Sequence, residues 1–283
     1  MMRRIWRHLK RDPLALACVL LLLLLALAGT LAPWLAPHDP LLVSWRDKFQ
    51  GISLTYPLGT DHLGRCVLSR LLFGIRTTLF SALFAMTLTL AIGTLLGAIA
   101  GYFRGRVDGA LMRLCDVMLS FPGEVMIFAL VGIMGPGLEN IVLAMVLVKW
   151  AWYARMVRGI VLQYSDCHYI QFARLAGGSP WYIFRRHLLP VTAAELVVLA
   201  TTDSGAVILL LSALSFIGLG VQPPVAEWGA MLGEARSVLM IHPQQMLPAG
   251  LAIVATVAAC NYLGDSLRDM LDVAGRRDSQ HSG

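Results

Sequence analysis

The stretch FARLAGGSPWYIFRRHLLP, Phe172 to Pro190, separates two long apolar runs and resembles neither. Its residues spell out two short helices. Tyr169–Leu175 has the composition of a short helix, and Gly177-Gly178 ends it, because glycine accepts the left-handed backbone of a helix stop. Ser179-Pro180 then reads as a cap followed by a first-turn proline. The new helix, WYIFRRHLL, runs to Pro190, where the next apolar run is expected to begin. A polar, aromatic-rich helix between two greasy runs fits a membrane protein, lying across one face of the bilayer and joining two spans.

The rest of the chain supports that setting. Its 283 residues are 57% hydrophobic and only 14% charged, with a mean hydropathy of +0.69. Soluble proteins average about 25% charged residues. A helical span needs about 20 mainly apolar residues, and six stretches qualify: 13–37, 77–103, 117–138, 140–154, 188–211 and 237–264. Pro243 and Pro248 place the last helix late in its stretch. The first stretch also has the basic head and small residues of a cleavable signal peptide, but its apolar run is long for one.

With the N-terminus inside, the inside segments hold sixteen lysines and arginines and the outside loops six. Positive residues concentrate on the cytoplasmic side, so both termini are expected there, with Phe172–Pro190. The basic balance is thus a topological signal and not a nucleic-acid footprint. The expected layout is a basic cytoplasmic N-terminus (1–13), a first transmembrane helix (14–35) and an extracytoplasmic loop (36–75). A five-helix core (76–264) follows, with a cytoplasmic loop at about 165–190, and then a cytoplasmic tail (265–283).

Several chemistries are excluded. A phosphate-cradling P-loop requires G-x-x-x-x-G-K-[ST], and none of the three lysines follows a glycine. There is no H-E-x-x-H and no G-x-S-x-G. Asp203-Ser204 lies in an apolar stretch without a histidine to activate the serine, which leaves an intramembrane enzyme as a remote alternative. The five cysteines form no C-x-x-C pair and no metal-finger spacing. No cofactor is expected. Secondary transporters usually carry two related halves, and no internal repeat is visible here. Six spans suggest half of a pore, and so a partner. Two readings of the 172–190 helix then remain: an interfacial anchor held by Trp181, Tyr182, Arg185 and Arg186, or a helix docked in a groove of a soluble partner that supplies the motor.

Ala173, three intervening residues, Gly177 and then Leu189-Pro190 resemble the EAA loop of ABC-transporter permeases, with Gln171-Phe172 in place of the usual Glu-Ala. LGTDHLGRCVLSRLLFGIRTTL (Leu58–Leu79) is similar to the L-G-T-D-x-L-G-R-D signature of the dipeptide/oligopeptide/nickel branch, with Cys66 where that signature has aspartate. LSFIGLGVQPPVAEWGAMLGEAR (Leu214–Arg236) and GDSLRDMLD (Gly264–Asp272) match the same branch. Trp150–Arg158 and Asp203 look most like nickel-transport permeases that form the second pore subunit.

The resemblance implies an all-α, six-span inner-membrane permease with the type I importer (MetI-like) fold. It implies four kinds of neighbour besides lipid: a second homologous permease, two ATP-binding subunits and an extracytoplasmic binding protein. It also assigns Gln171, Phe172, Ala173, Arg174, Gly177, Gly178, Ser179, Pro180 and Pro190 to ATPase coupling, and Gly59, Thr60, Asp61, Gly64 and Arg65 to the family signature. The implied cargo is nickel or a metal chelate, with di- or oligopeptides as the alternative.

Ionisable side chains inside spans are functional candidates, since each costs about 2.5–3.5 kcal/mol at a span centre. At 100° per residue Thr192, Glu195, Thr202 and Asp203 share an arc of about 100°, and Asp116, Ser120 and Glu124 share one of about 80°. Asp203 is expected to line the path, with Glu195 and Glu124 as further transient contacts for a cation. Asp116, beside Arg113 near a cytoplasmic end, is expected to reach headgroups or to pair with a loop arginine. His38, His62 and His242 fall on the outer side without a local cluster and read as loop residues. Met126, Met134 and Met145 read as packing. Gly93, Gly97 and Gly101 form a small-residue stripe that admits a close helix. Gly135-Pro136-Gly137 reads as a tight turn, and EWGAMLGEAR as a short helix at the outer mouth.

Overall fold

The computed structural model describes residues 12–165 and 167–280. The basic head, Arg3 to Arg11, lies outside the described residues, as do the side chains of Arg174, Pro180 and residues 271–280. The described residues are helical apart from turns, loops and one isolated antiparallel bridge, Thr60 to Cys66.

The main helices are α1 (Pro13–Thr30), α2 (Val67–Phe103), α3 (Gly105–Leu119), α4 (Gly123–Met134), α5 (Leu138–Ser165), α6 (His168–Leu175), α7 (Leu189–Phe216), α8 (Trp228–Arg236) and α9 (Leu247–Gln280). Among the described residues five helices are long and apolar enough to cross a membrane, and the pair α3 and α4 makes a sixth if counted as one span. The chain divides into two compact units: residues 12–83, 135–141 and 201–280, and residues 84–134 and 142–200.

In the first unit, Asp12 caps α1 by accepting from the Leu14 and Ala15 amides, both at 3.1 Å. The same carboxylate accepts from Tyr262 Oη and Ser266 Oγ on α9, at 3.1 and 3.0 Å. Beyond this staple α1 is a rod of outward-facing leucines, with Ala15 and Gly29 buried. α2 begins at Val67, inside the stretch expected to be loop. Its 37 residues give about 55 Å of helix at 1.5 Å per residue, well beyond a hydrocarbon core of about 30 Å. A π-helical turn, Arg76–Phe80, interrupts it. α7 and α9 approach closely where Gly205 faces Asn261 and Gly264 faces Thr202; a Cβ at either glycine would lie 2.6 Å or less from its neighbour.

In the second unit, the glycine stripe meets α5. Added Cβ atoms at Gly93, Gly97 and Gly101 would lie 2.5 Å from Tyr153 Cβ, 2.4 Å from the Ala154 carbonyl and 2.8 Å from Val161. Cys115, Ala151 and Ala154 form the packed centre, with Leu96, Met112, Met118 and Trp150 around it. Met145 is buried, as expected of a packing residue.

The third expected span is broken. α3 and α4 meet at 81° across Ser120–Pro122. Pro122 has no amide to donate and disfavours helical backbone at Phe121. Asp116, Ser120 and Glu124 therefore share no helical stripe. Asp116 pairs with Arg155, which lies just past the expected fourth span and on α5 in the structure. Arg158 clasps Asp108 through two hydrogen bonds of 2.6 Å, tying α3 to α5 a second time.

The fourth span is longer than expected, reaching Ser165. The helical backbone that leads into the fifth expected span, 188–211, begins before Pro190. The backbone is helical without interruption from Pro180, through a π turn at Phe184–Leu188, into α7. A proline one residue into α7 lacks a donor, and the wider π turn just before it is where a helical ladder accommodates such a defect. α9 likewise continues through the expected tail to Gln280.

Candidate functional site

Three places among the described residues carry the candidate side chains. The first is the segment 165–190. Gly177 takes φ +80°, and the Gly178 amide donates to the Ala173 carbonyl at 3.0 Å, which is the six-to-one bond of a Schellman stop. Ser179 Oγ accepts from the Tyr182 amide at 3.2 Å and caps the next turn. Ile170, Ile183 and Leu188 point inward and are buried. Gln171, Phe172, Leu175, Trp181, Tyr182, Arg185 and Arg186 are exposed, as is Pro190, and Ala173 is half-buried. The result is a pair of short helices with an aliphatic underside and an aromatic, basic upper face.

The second place is the signature loop. Gly59 and Gly64 adopt φ +75° and +76°. A Cβ on Gly64 would overlap the Ser44 carbonyl, and one on Gly59 would sit 2.6 Å from the Gln50 carbonyl. Thr60 Oγ1 donates to the Asp47 carbonyl and accepts from the Gln50 amide.

Asp61 then organises the loop. Its Oδ1 accepts from the Leu63 and Arg65 amides at 2.8 and 3.0 Å, and its Oδ2 accepts from Arg65 Nε and Arg70 Nη1, both at 2.7 Å. The two guanidiniums continue to Glu234 on α8: Arg65 Nη2 at 2.5 Å, Arg70 Nη1 at 2.6 Å and Arg70 Nη2 at 3.1 Å. Both arginines are only 2% exposed. Burial raises the Asp61 carboxyl, but Arg65, its amide and Arg70 outweigh that and hold it below the ordinary aspartate value.

Asp61, His62 and Glu234 could each place one ligand atom within a 4.8 Å group. Two guanidiniums already occupy the two carboxylates, and the buried Arg70 Nε has no partner. A dication here would meet two fixed positive charges and an unpaired donor, so the donor set does not suit a metal.

α8, the expected mouth helix, is packed and not free. Glu227 caps it, accepting from the Ala230 amide at 2.8 Å and from Thr78 Oγ1 on α2 at 2.8 Å. Trp228 is buried, with Nε1 donating to the Leu71 carbonyl at 3.0 Å. A Cβ on Gly229 would overlap the Ser212 carbonyl, and one on Gly233 would lie 2.7 Å from the Phe216 carbonyl. Burial pushes the Glu227 carboxyl above the ordinary glutamate value, against the lowering by its hydrogen bonds to the Gly229 and Ala230 amides and to Thr78.

Sequence reasoning missed Arg70, Glu227 and Glu234. The only local signals were the acidic cap position three residues before Ala230 and an arginine facing inward on an otherwise apolar turn.

The third place is α7, where Glu195 and Asp203 are both half-buried and eight residues apart. Glu124 is exposed in the first turn of α4, where a carboxylate is favoured by the helix dipole. The outer histidines do not assemble. His38 stacks on Tyr56 at 4.7 Å and His242 on Phe49 at 4.0 Å.

An all-helical fold with these spans defines a multi-pass membrane protein, and comparison with known proteins gives the family. Residues 93–276 match the family described as binding-protein-dependent transport system inner membrane component, and residues 1–51 match the N-terminal TM domain of oligopeptide transport permease C. The chain belongs to this family, as an OppC-type permease of an ABC importer of the peptide/nickel group. It is a transport permease and not a catalytic subunit, it is a multi-pass inner-membrane protein, and its family implies ATPase and binding-protein partners.

Three relatives show the range of that group. The chain is 42% identical to the glutathione transport system permease protein GsiD of Pectobacterium atrosepticum, covering 95% of this chain and 90% of the relative. It is 41% identical to the metal-staphylopine import system permease protein CntC of Staphylococcus aureus, covering 95% and 93%. It is 40% identical to the nickel transport system permease protein NikC of Escherichia coli, covering 90% and 92%.

Proposed function

We propose that this chain is one of two homologous subunits of a heterodimeric pore, and that the pore imports nickel or a nickel or other metal chelate. The observation that carries the cargo is the pair of carboxylates, Glu195 and Asp203, on one membrane-spanning helix. Acidic groups within a span mark ion paths more often than packing. The names of two of the three relatives support a metal-containing cargo. Glu124 is the third carboxylate on the proposed path.

In this reading both termini are cytoplasmic, and residues Gln171–Pro180, with Pro190, pass the motion of the ATPase to the pore. ATP binding shifts the pore between inward- and outward-facing states, which requires that the partners bind the two states with different affinity. The exposed aromatics of the helix pair supply that differential contact. A reporter active only outside the cell should work after Ser53 or Val225 and fail after Arg106, Ser179 or Arg277. Activity after Ser179 would place the helix pair on the wrong side and end this reading.

The cargo is tested with labelled nickel, free and chelated, in cells carrying Asp203→Asn. Attraction between a carboxylate and a dication ~4 Å apart is about 8 kcal/mol at an effective dielectric of 20, before desolvation offsets much of it. Free-metal uptake should fall most at limiting metal, and uptake of a charge-neutral chelate should fall less. Unchanged uptake in both Asp203→Asn and Asp203→Leu would overturn the metal path. The likeness to a glutathione permease favours a second reading, a small peptide cargo; labelled glutathione uptake that is insensitive to Asp203→Asn would select it.

A further inference from the structure

A cavity of about 610 Å³ lies within the first unit, between the loop that follows α1 and the start of α9. Phe49, Ile52 and Leu58 wall it on the loop side, Leu71 on α2, and Leu247 and Leu251 on α9. Pockets of 300–1,000 Å³ are the usual size for small-molecule sites. Its polar residues are already engaged. Gln50 Nε2 donates to Asp47 at 2.7 Å, Gln245 Nε2 donates to the Thr60 carbonyl at 2.8 Å, and Gln244 contacts His242 at 3.3 Å. Most of what faces the space is aliphatic and aromatic, which favours an apolar occupant.

We propose that this cavity holds an acyl chain of a phospholipid from the extracytoplasmic leaflet, a site that rests on the membrane orientation given above. The cavity adjoins an exposed apolar line on α9. Leu247, Leu251 and Val254 are spaced four and three residues apart, so they form one line along the helix; they are 58%, 64% and 64% exposed, and the first two also wall the cavity.

Interfaces between membrane helices are enriched in glycine, alanine, serine and threonine that let backbones approach. This line is leucine and valine, which suits lipid tails. On the loop side Ile52 is 81% exposed, an arrangement that water alone would disfavour. Close by, Lys48 Nζ sits 4.0 Å over the exposed Trp45 ring. A lysine paired with a tryptophan is suited to the headgroup level, where the ring is half-immersed and the ammonium reaches phosphate.

The test uses the complete transporter, with its partner subunits, in native membranes. A benzophenone amino acid replaces Ile52 or Leu251 in turn, with Met240 as an exposed loop control, and products of irradiation are identified by mass spectrometry. Phospholipid adducts are expected at Ile52 and Leu251 and not at Met240. Two variants then fill the space: Ala252→Trp, and Gly51→Leu, whose added side chain meets no atom within 4 Å at its Cβ. Either should reduce the Ile52 lipid adduct several-fold without changing the adduct of a benzophenone at the outward-facing Leu23 on α1. An Ile52 adduct to the binding protein or the second permease would overturn the proposal. So would a lipid adduct that both filling variants leave unchanged. The orientation is read separately by the reporter after Ser53, so its failure is distinguishable from absence of the lipid.

Discussion

Arg70 and Glu234 stand 164 residues apart in the chain and meet through two hydrogen bonds, at 2.6 and 3.1 Å, in a site where Arg70 is 2% exposed. The same glutamate accepts from Arg65, and both arginines share Asp61. The signature loop and α8 are therefore one piece. Removing one member of a buried ion cluster strands its partners and costs about 3–5 kcal/mol. Glu234→Gln should lower the thermal midpoint of the purified permease strongly, and Glu234→Asp less. An unchanged midpoint in Glu234→Gln would show that the cluster holds nothing together.

The helix pair at 165–190 makes a separate prediction about coupling. Gly177 holds φ +80°, a conformation that costs an ordinary residue about 1–3 kcal/mol and that asparagine tolerates best. Gly177→Asn should keep uptake near normal. Gly177→Asp places a charge at the proposed ATPase contact and should abolish uptake and substrate-stimulated ATP turnover while the permease still inserts. Equal behaviour of the two variants would remove charge from the explanation.

Helical glycines separate cleanly by what surrounds them. A Cβ at Gly97 would lie 2.4 Å from the Ala154 carbonyl, whereas one at Gly109 or Gly132 meets nothing within 4 Å. Gly97→Ala must push α2 from α5 and should destabilise the protein. Gly109→Ala, in α3, should stabilise it by about 0.5–1 kcal/mol through the lower conformational entropy of the unfolded chain. Thermal unfolding in detergent decides both, and a stabilised Gly97→Ala would contradict the close packing.

Glu227 gives a pH dependence with a definite sign. Its folded carboxyl is raised above the unfolded value by burial. Its protonated form therefore supports folding at low pH, and that support is lost as pH rises through the folded value. Glu227→Gln keeps the shape and an acceptor for the Ala230 amide without the buried charge. Its midpoint relative to the parent should improve from pH 5 to pH 8. A relative midpoint that falls over this range would mean that Glu227 is held as a stabilised carboxylate.

Much of the protein was legible in its sequence because the deciding interactions are local. Span existence follows from runs of apolar residues, which water rejects and lipid accepts. The Schellman stop at Gly177 and the cap at Ser179 involve groups no more than five residues apart, so composition alone placed them. The stripe Gly93, Gly97, Gly101 announced a close helix by its period, although only the fold named α5 as the neighbour. Asp61 and Arg65 were named as signature residues by resemblance, and their ion pair was not foreseen although they lie within one turn of chain. Tertiary structure alone decided the rest. The 81° break between α3 and α4 left Asp116, Ser120 and Glu124 without a common face and turned Asp116 toward Arg155. Arg70 and Glu234 meet across 164 residues of chain, and Glu227 reaches Thr78 across 149. Periodicity reports which side of a helix avoids water; it carries no information on which distant charge will neutralise a buried one.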